Sequence, residues 1–158
     1  GINSRTRAAG NQEIFEKNLL IEKLDRQEVF ALMDINAISP IRLAHHLRPL
    51  FAKSESPKVI QIGSWLGSIS LKNSGGNYTY AVSKSALNMM NRAFAFDVKD
   101  EGIISVVMNP GWIRTDMGGG NAPRGVDEAV ASMRQIMDKL TLGDTGNFFH
   151  YDGSIHPW

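Results

Sequence analysis

Tyr80 and Lys84 stand at the two ends of Tyr80-Ala81-Val82-Ser83-Lys84, with Ser64 upstream and Asn36 further back. Residues four apart on a helix share a face, so the phenol and the ammonium would point the same way. A free tyrosine, with a pKa of about 10, is a poor proton donor or acceptor at neutral pH. A cation held close favours the phenolate, and the spacing therefore predicts a phenol whose pKa is pulled down toward the working range. A serine hydroxyl beside it could hold a carbonyl oxygen while the phenol protonates it. Y-x-x-x-K by itself is a weak motif, because a surface lysine one turn after a half-buried tyrosine spells the same letters. The surrounding elements must decide.

Those elements alternate. Residues 1–13 are polar, contain glycine and read as a loop. From about Asp25 to Phe51 the apolar residues Val29, Leu32, Met33, Leu43, Leu47 and Leu50 fall near a helical period, with Asn36 as a polar intruder. Pro40 lies four residues after Asn36 and has no N–H, so the Asn36 carbonyl loses its helical donor and the helix should bend there. A kinked core helix with a satisfied asparagine would show the same pattern. Lys58 to Gly63 is a short β-branched run ending at glycine, which predicts a buried strand with Ser64 at its C-terminal end. In open α/β sheets, ligands bind at that edge.

Residues 65–77 contain three glycines and read as a loop. A helix is predicted from about Tyr78 to near Gly102, with Val82, Ala86, Met89, Met90, Ala93 and Phe96 on its apolar side. Ile103 to Met108 is a second buried-type strand, stopped by Asn109-Pro110-Gly111. Residues 112–126, with three consecutive glycines at 118–120, read as a loop whose order depends on a ligand. Asp127 is the expected cap of a last helix reaching about Leu140, and Asn147 to Tyr151 is the expected final strand. The order α, β, α, β, α, β implies one α/β domain over 1–158 with a small parallel sheet.

Composition narrows the function. With 158 residues, 42% of them hydrophobic, the chain can bury one core. Its net charge of +1, with both signs interspersed, proposes neither nucleic acid nor an anionic membrane as a partner. No apolar run approaches the ~18 residues of a membrane span, and no signal peptide opens the chain. Cysteine is absent, which excludes disulfides and agrees with a reducing compartment; the cytoplasm is the expected location. No metal site is expected: His45 and His46 are adjacent and do not share a helix face, and the C-terminal His150, Asp152 and His156 read as turn or solvated residues.

With these motifs in order, the chain resembles a short-chain dehydrogenase/reductase, within the carbonyl-reductase-like branch of C-signal-factor and sniffer-type proteins. The matching pieces are M-D-I-N around Asn36, I-G-S-W-L-G-S around Ser64, Y-A-V-S-K, N-P-G-W-I-R-T-D-M at 109–117, and the closing F-F-H-Y-D-G-S-I-H-P-W. The resemblance implies the C-terminal half of a doubly wound, Rossmann-like fold, with about three parallel strands and long helices. It implies an Asn36–Ser64–Tyr80–Lys84 tetrad, with Tyr80 as general acid/base, Ser64 orienting the substrate oxygen and Lys84 acting on both the tyrosine and the nicotinamide ribose. Tyr80, Lys84, Pro110, Gly111, Ile113 and Thr115 would contact NAD or NADP. The reaction implied is reduction of a small-molecule carbonyl or oxidation of an alcohol.

Against the family pattern, no G-x-G-x-x-G links a strand to a helix here. The N-terminal βαβ units that bind ADP and choose between NAD and NADP are missing, Gly1-Ile2 resembling the end of the motif that closes them. These 158 residues alone are therefore expected to lack turnover, the alternative function being a non-catalytic oligomerisation or interaction module. The strand bearing Ser64 would lose its neighbour, leaving an apolar edge and helix faces to be covered. Self-association through that edge or through the two long helices is expected, or a separate N-terminal half completing the fold.

Overall fold

The computed structural model describes residues 21–158, so the N-terminal loop reading falls outside the described residues. Three strands, β1 (Lys58–Ile62), β2 (Ile104–Asn109) and β3 (Phe148–His150), form one parallel sheet in the order β1-β2-β3. Lys58 to Ile62 pair in register with Ile104 to Met108, and Val107 to Asn109 with Phe148 to His150. All six residues of β2 are buried, as a central parallel strand covered on both faces requires. Among the described residues, nothing pairs with the outer edge of β1. The sequence reading of a small parallel α/β sheet holds, with the last strand shorter than expected.

Helices cover both faces. On one side lie α1 (Arg26–Met33), α2 (Ser39–Phe51) and α3 (Tyr78–Val98), where Ala44, Val59, Phe94, Val98 and Ile103 form a cluster. On the other lies α4 (Val126–Lys139), where Ile104, Val106, Leu140 and Phe149 are joined by the half-buried Ile60 and Ile136. Lys58 Nζ donates to the Met137 carbonyl at 2.8 Å, placing a cation on the electronegative end of α4. Helix α4 starts two residues earlier than the sequence suggests. Gly125 is its cap, and Asp127 sits in the first turn, where its charge faces the positive end of the helix dipole.

The bend expected at Asn36 takes a definite form. Asp34–Ile38 is a turn of π-helix between α1 and α2, and the Ser39 N–H reaches back to the Asp34 carbonyl. Pro40 supplies no N–H, and the wider turn reroutes the ladder around that gap. Residues 65–77 are less irregular than expected, since Trp65–Gly67 forms a 3₁₀ turn capped by Ser64 Oγ, which accepts from the Leu66 N–H at 3.2 Å.

The two long helices correct the sequence reading most sharply. The face of α3 expected to be buried is exposed: Val82 is 47%, Met89 70% and Phe96 56% accessible. Its buried face instead carries Ser83, Lys84, Leu87, Asn88, Asn91, Phe94 and Val98. Asn91 Oδ1 accepts from the Ser105 hydroxyl of β2 at 2.8 Å, so part of the helix–sheet contact is polar and paired. On α2, Leu43, Leu47 and Leu50 are likewise exposed, and Ala44 is the residue that enters the core. Apolar periodicity marks an apolar face but does not name what covers it.

Candidate active site

The C-terminal ends of β1 and β2 meet the first turns of α3 at a cleft of about 260 Å³. Ser64 enters from the end of β1, Tyr80 and Lys84 from α3, and Pro110, Gly111, Ile113 and Thr115 from the segment after β2. Seven of the sequence-selected residues thus line one cavity. Asn36 does not line it. It sits behind, 1% exposed, with its Nδ2 donating to Ser83 Oγ at 3.1 Å, and Ser83 Oγ donates in turn to the Tyr80 carbonyl at 2.8 Å. This chain braces the opening of α3, whose cap residue Asn77 has φ 54° and makes no side-chain cap bond.

On the other flank, Gly67 lets the Ser64 turn rest directly on α3. A Cβ there would lie 2.9 Å from the Lys84 carbonyl carbon. The Gly67 carbonyl accepts from Ser85 Oγ at 2.9 Å and from Asn88 Nδ2 at 3.1 Å. Tyr80 is therefore held from two sides, by Asn36 through Ser83 and by the glycine turn.

Electrostatics depart from the sequence expectation. Tyr80 and Lys84 do share a face, with Lys84 Nζ 5.8 Å from the centre of the tyrosine ring. The phenol's pKa is nevertheless raised, because burial penalises the phenolate; the Ser64 hydroxyl on the same cleft acts in the other direction as the smaller cause. The same burial lowers Lys84 to about 8. One of the three ammonium protons is donated to the Ile62 carbonyl, at 2.8 Å. Both charged forms lose water in the same cleft, and that loss is the largest cause of each shift.

The loop after β2 is tied by bonds within itself. Arg114 N–H donates to the Arg124 carbonyl at 2.9 Å, and Trp112 Nε1 donates to the Gly118 carbonyl at 2.7 Å. Gly118 permits this turn, since a Cβ there would collide with the Ile113 carbonyl oxygen. Gly111 has φ 80°, which lets the chain turn past Tyr151 where a side chain would not fit. Trp65, Leu66, Asn109, Trp112 and Met117 line the cleft as well, beyond the site residues named from the sequence. Asn109 was legible as the residue before Pro110-Gly111; its Oδ1 accepts from the Gly111 N–H at 3.1 Å while its buried Nδ2 has no partner.

The profile of the short chain dehydrogenase family matches residues 7–124. This chain belongs to that family. Among relatives, it is 34% identical over 135 residues to C-signal of Myxococcus xanthus, covering 85% of this chain and 81% of that protein. In structure it is similar to the carbonyl reductase Sniffer of D. melanogaster, at 33% identity and a TM-score of 0.84, covering 88% of this chain and 60% of that one. It is also similar to the NADPH-bound carbonyl reductase from chicken fatty liver, at 30% identity and a TM-score of 0.82, covering 89% and 61%. The chain thus spans about 60% of the length of these solved reductases, and its three-stranded sheet with helices is part of their Rossmann-like fold.

Proposed function

We propose that this chain carries the proton-transfer site of an NAD(P)-dependent carbonyl reductase or alcohol dehydrogenase. The observation that carries the reading is the convergence of Ser64, Tyr80 and Lys84 in one cleft at the C-terminal ends of two parallel strands. Tyr80, kept neutral by burial, is charged with the proton that a reduced carbonyl oxygen needs. Ser64 holds that oxygen and then stabilises the phenolate by its hydrogen bond. Lys84, titrating near 8, is close enough to balance the phenolate's charge and to return a proton from solvent. Asn36 acts through Ser83, setting where the Tyr80 turn sits.

The nicotinamide end of NAD or NADP fits the same cleft. Pro110, Gly111, Ile113 and Thr115 would flank it and Lys84 would reach its ribose, while the unpartnered Nδ2 of Asn109 leaves a donor beside them. When bound, that cofactor supplies or accepts a hydride at the carbonyl carbon. The adenosine end finds no glycine-rich cradle in the sequence, so binding by this chain alone is expected to be weak. The test is cofactor oxidation with a ketone at high NADH or NADPH, beside calorimetric titration of each cofactor. Tyr80→Phe should lower any turnover by at least about a hundredfold. Saturable micromolar binding would overturn the expectation of weakness, and turnover unaffected by Tyr80→Phe would overturn the assignment.

A second reading, an oligomerisation module, draws on the exposed apolar faces of α2 and α3. Leu43, Leu47 and Leu50 on one helix and Val82, Met89 and Phe96 on the other offer water more apolar surface than isolated side chains would. We take a second copy of the chain as their cover, with the open edge of β1 as the competing surface. Met89→Glu should convert the assembly to monomer in sedimentation; an unchanged mass would direct attention to β1.

A further inference from the structure

Resting on the reductase reading of the cleft, we propose that Arg124, which does not line the cleft, is a positioning residue. It holds residues 111–114, the wall beside which the nicotinamide end of the cofactor would lie. Of the described arginines it alone is buried, at 8% exposed. Its guanidinium lies over the face of Tyr151, 3.7 Å from the ring centre. The same ring backs Gly111, where a Cβ would fall 2.8 Å from Tyr151 Cδ1 and 3.6 Å from Arg124 Cδ. Gly111 therefore rests on the stacked pair, and both Gly111 and Ile113 line the cleft.

The backbone of Arg124 holds the wall at a second point. Ile113 and Arg124 form a parallel bridge, and the Arg124 carbonyl accepts from the Arg114 N–H at 2.9 Å. Both holds are anchored on α4. Arg124 Nε donates to Glu128 Oε1 at 3.2 Å and Nη2 to Ser132 Oγ at 2.9 Å. The Ser132 hydroxyl donates in turn to the Glu128 carbonyl at 3.0 Å, which leaves its lone pairs for the guanidinium. Helix, guanidinium, ring and glycine thus form one line of contacts from α4 to the cleft.

Stability alone does not call for an arginine here. Its Nη1 is buried with no partner, and the side chain of its carboxylate partner is 62% exposed. An incompletely paired buried charge costs stability that a well-packed apolar side chain would not. What a guanidinium adds is direction, since its planar fork fixes the stack and both bonds together, as a flexible lysine cannot. A wall fixed in this way keeps its depth relative to Ser64 and Tyr80.

The test compares R124K, which keeps the charge, and R124M, which keeps a stem without a charge, with the wild type. Y151L removes the stacked ring and leaves the arginine, and R134K, at an exposed position of α4, is the control. Hydrogen exchange of the ¹⁵N-labelled chain reads the Arg114 amide against the Val107 amide of β2, which bonds to the Asn147 carbonyl; their ratio removes any global loss of stability. The ratio should rise at least about fivefold in R124K, R124M and Y151L and stay at the wild-type value in R134K. Reduced nicotinamide mononucleotide, which lacks the adenosine half, is then titrated while the Gly111, Ile113 and Thr115 amide signals are followed. Its affinity should fall at least about fivefold in the same three variants, as a misplaced wall requires. An unchanged exchange ratio in any of the three overturns the proposal. So does a raised ratio with unchanged affinity, which would make Arg124 a structural clasp and nothing more. If the mononucleotide moves none of these signals in the wild type, the cofactor reading of the cleft falls, while a raised ratio leaves the hold of Arg124 on the wall standing.

Discussion

Gly67→Ala puts the geometry of the site under direct strain. The added methyl would lie 2.9 Å from both the carbonyl carbon and the Cβ of Lys84, and 3.1 Å from its carbonyl oxygen. Two of those three atoms are helix backbone and cannot rotate away. Ordinary contact requires the Trp65–Gly67 turn to retreat from α3 by about half an ångström. Overpacking of this kind costs ~1–3 kcal/mol. The retreat also stretches the bonds from Ser85 and Asn88 to the Gly67 carbonyl, each worth ~1 kcal/mol. A total of ~2–4 kcal/mol, at ~2–4 °C per kcal/mol for a chain of this size, lowers the melting temperature by ~5–15 °C. Circular dichroism melting measures it, with Gly75→Ala as the control, since a Cβ there would meet nothing nearer than 4.0 Å. Ser64 moves with the turn, so Tyr80-dependent turnover should fall as well, by up to about a hundredfold for a 1 Å displacement. If Gly67→Ala melts with the control, the close approach is not what fixes Ser64 against Tyr80, and the reasoning fails.

Lys84→Met should reveal a pH dependence with a definite sign. The folded pKa of about 8 lies below the ordinary 10.5, so between those values the unfolded chain binds more protons and stability from this site rises with pH. The melting temperature of the wild type should therefore gain on Lys84→Met from about pH 8 to pH 10; a flat or falling difference would contradict the burial of the ammonium. The raised phenol of Tyr80 acts in the opposite sense, but only above its ordinary value of 10.0. Asn36→Ala removes the buried donor to Ser83 and should cost ~1–3 kcal/mol, read as an earlier urea midpoint with unchanged slope. If Ser83→Ala and Asn36→Ala add independently in a double-mutant cycle, the brace between them carries no energy.

Much of this molecule is written locally. A β-branched run ending in glycine at 63, a helix opening at Tyr78 and the stop at Asn109-Pro110-Gly111 each follow from backbone preferences within a few residues, and together they give the parallel order of three strands. The four-residue spacing of Tyr80 and Lys84 likewise settles that they share a face, whatever surrounds them. Local pattern could not tell which side of α3 the core would take, because Val82, Met89 and Phe96 form as good an apolar stripe as the buried face does. Nor could it give the sign of the Tyr80 shift. Spacing reports a neighbouring cation, whereas the amount of water removed from the phenol depends on how the elements around the cleft pack, and in this fold that desolvation is the larger effect.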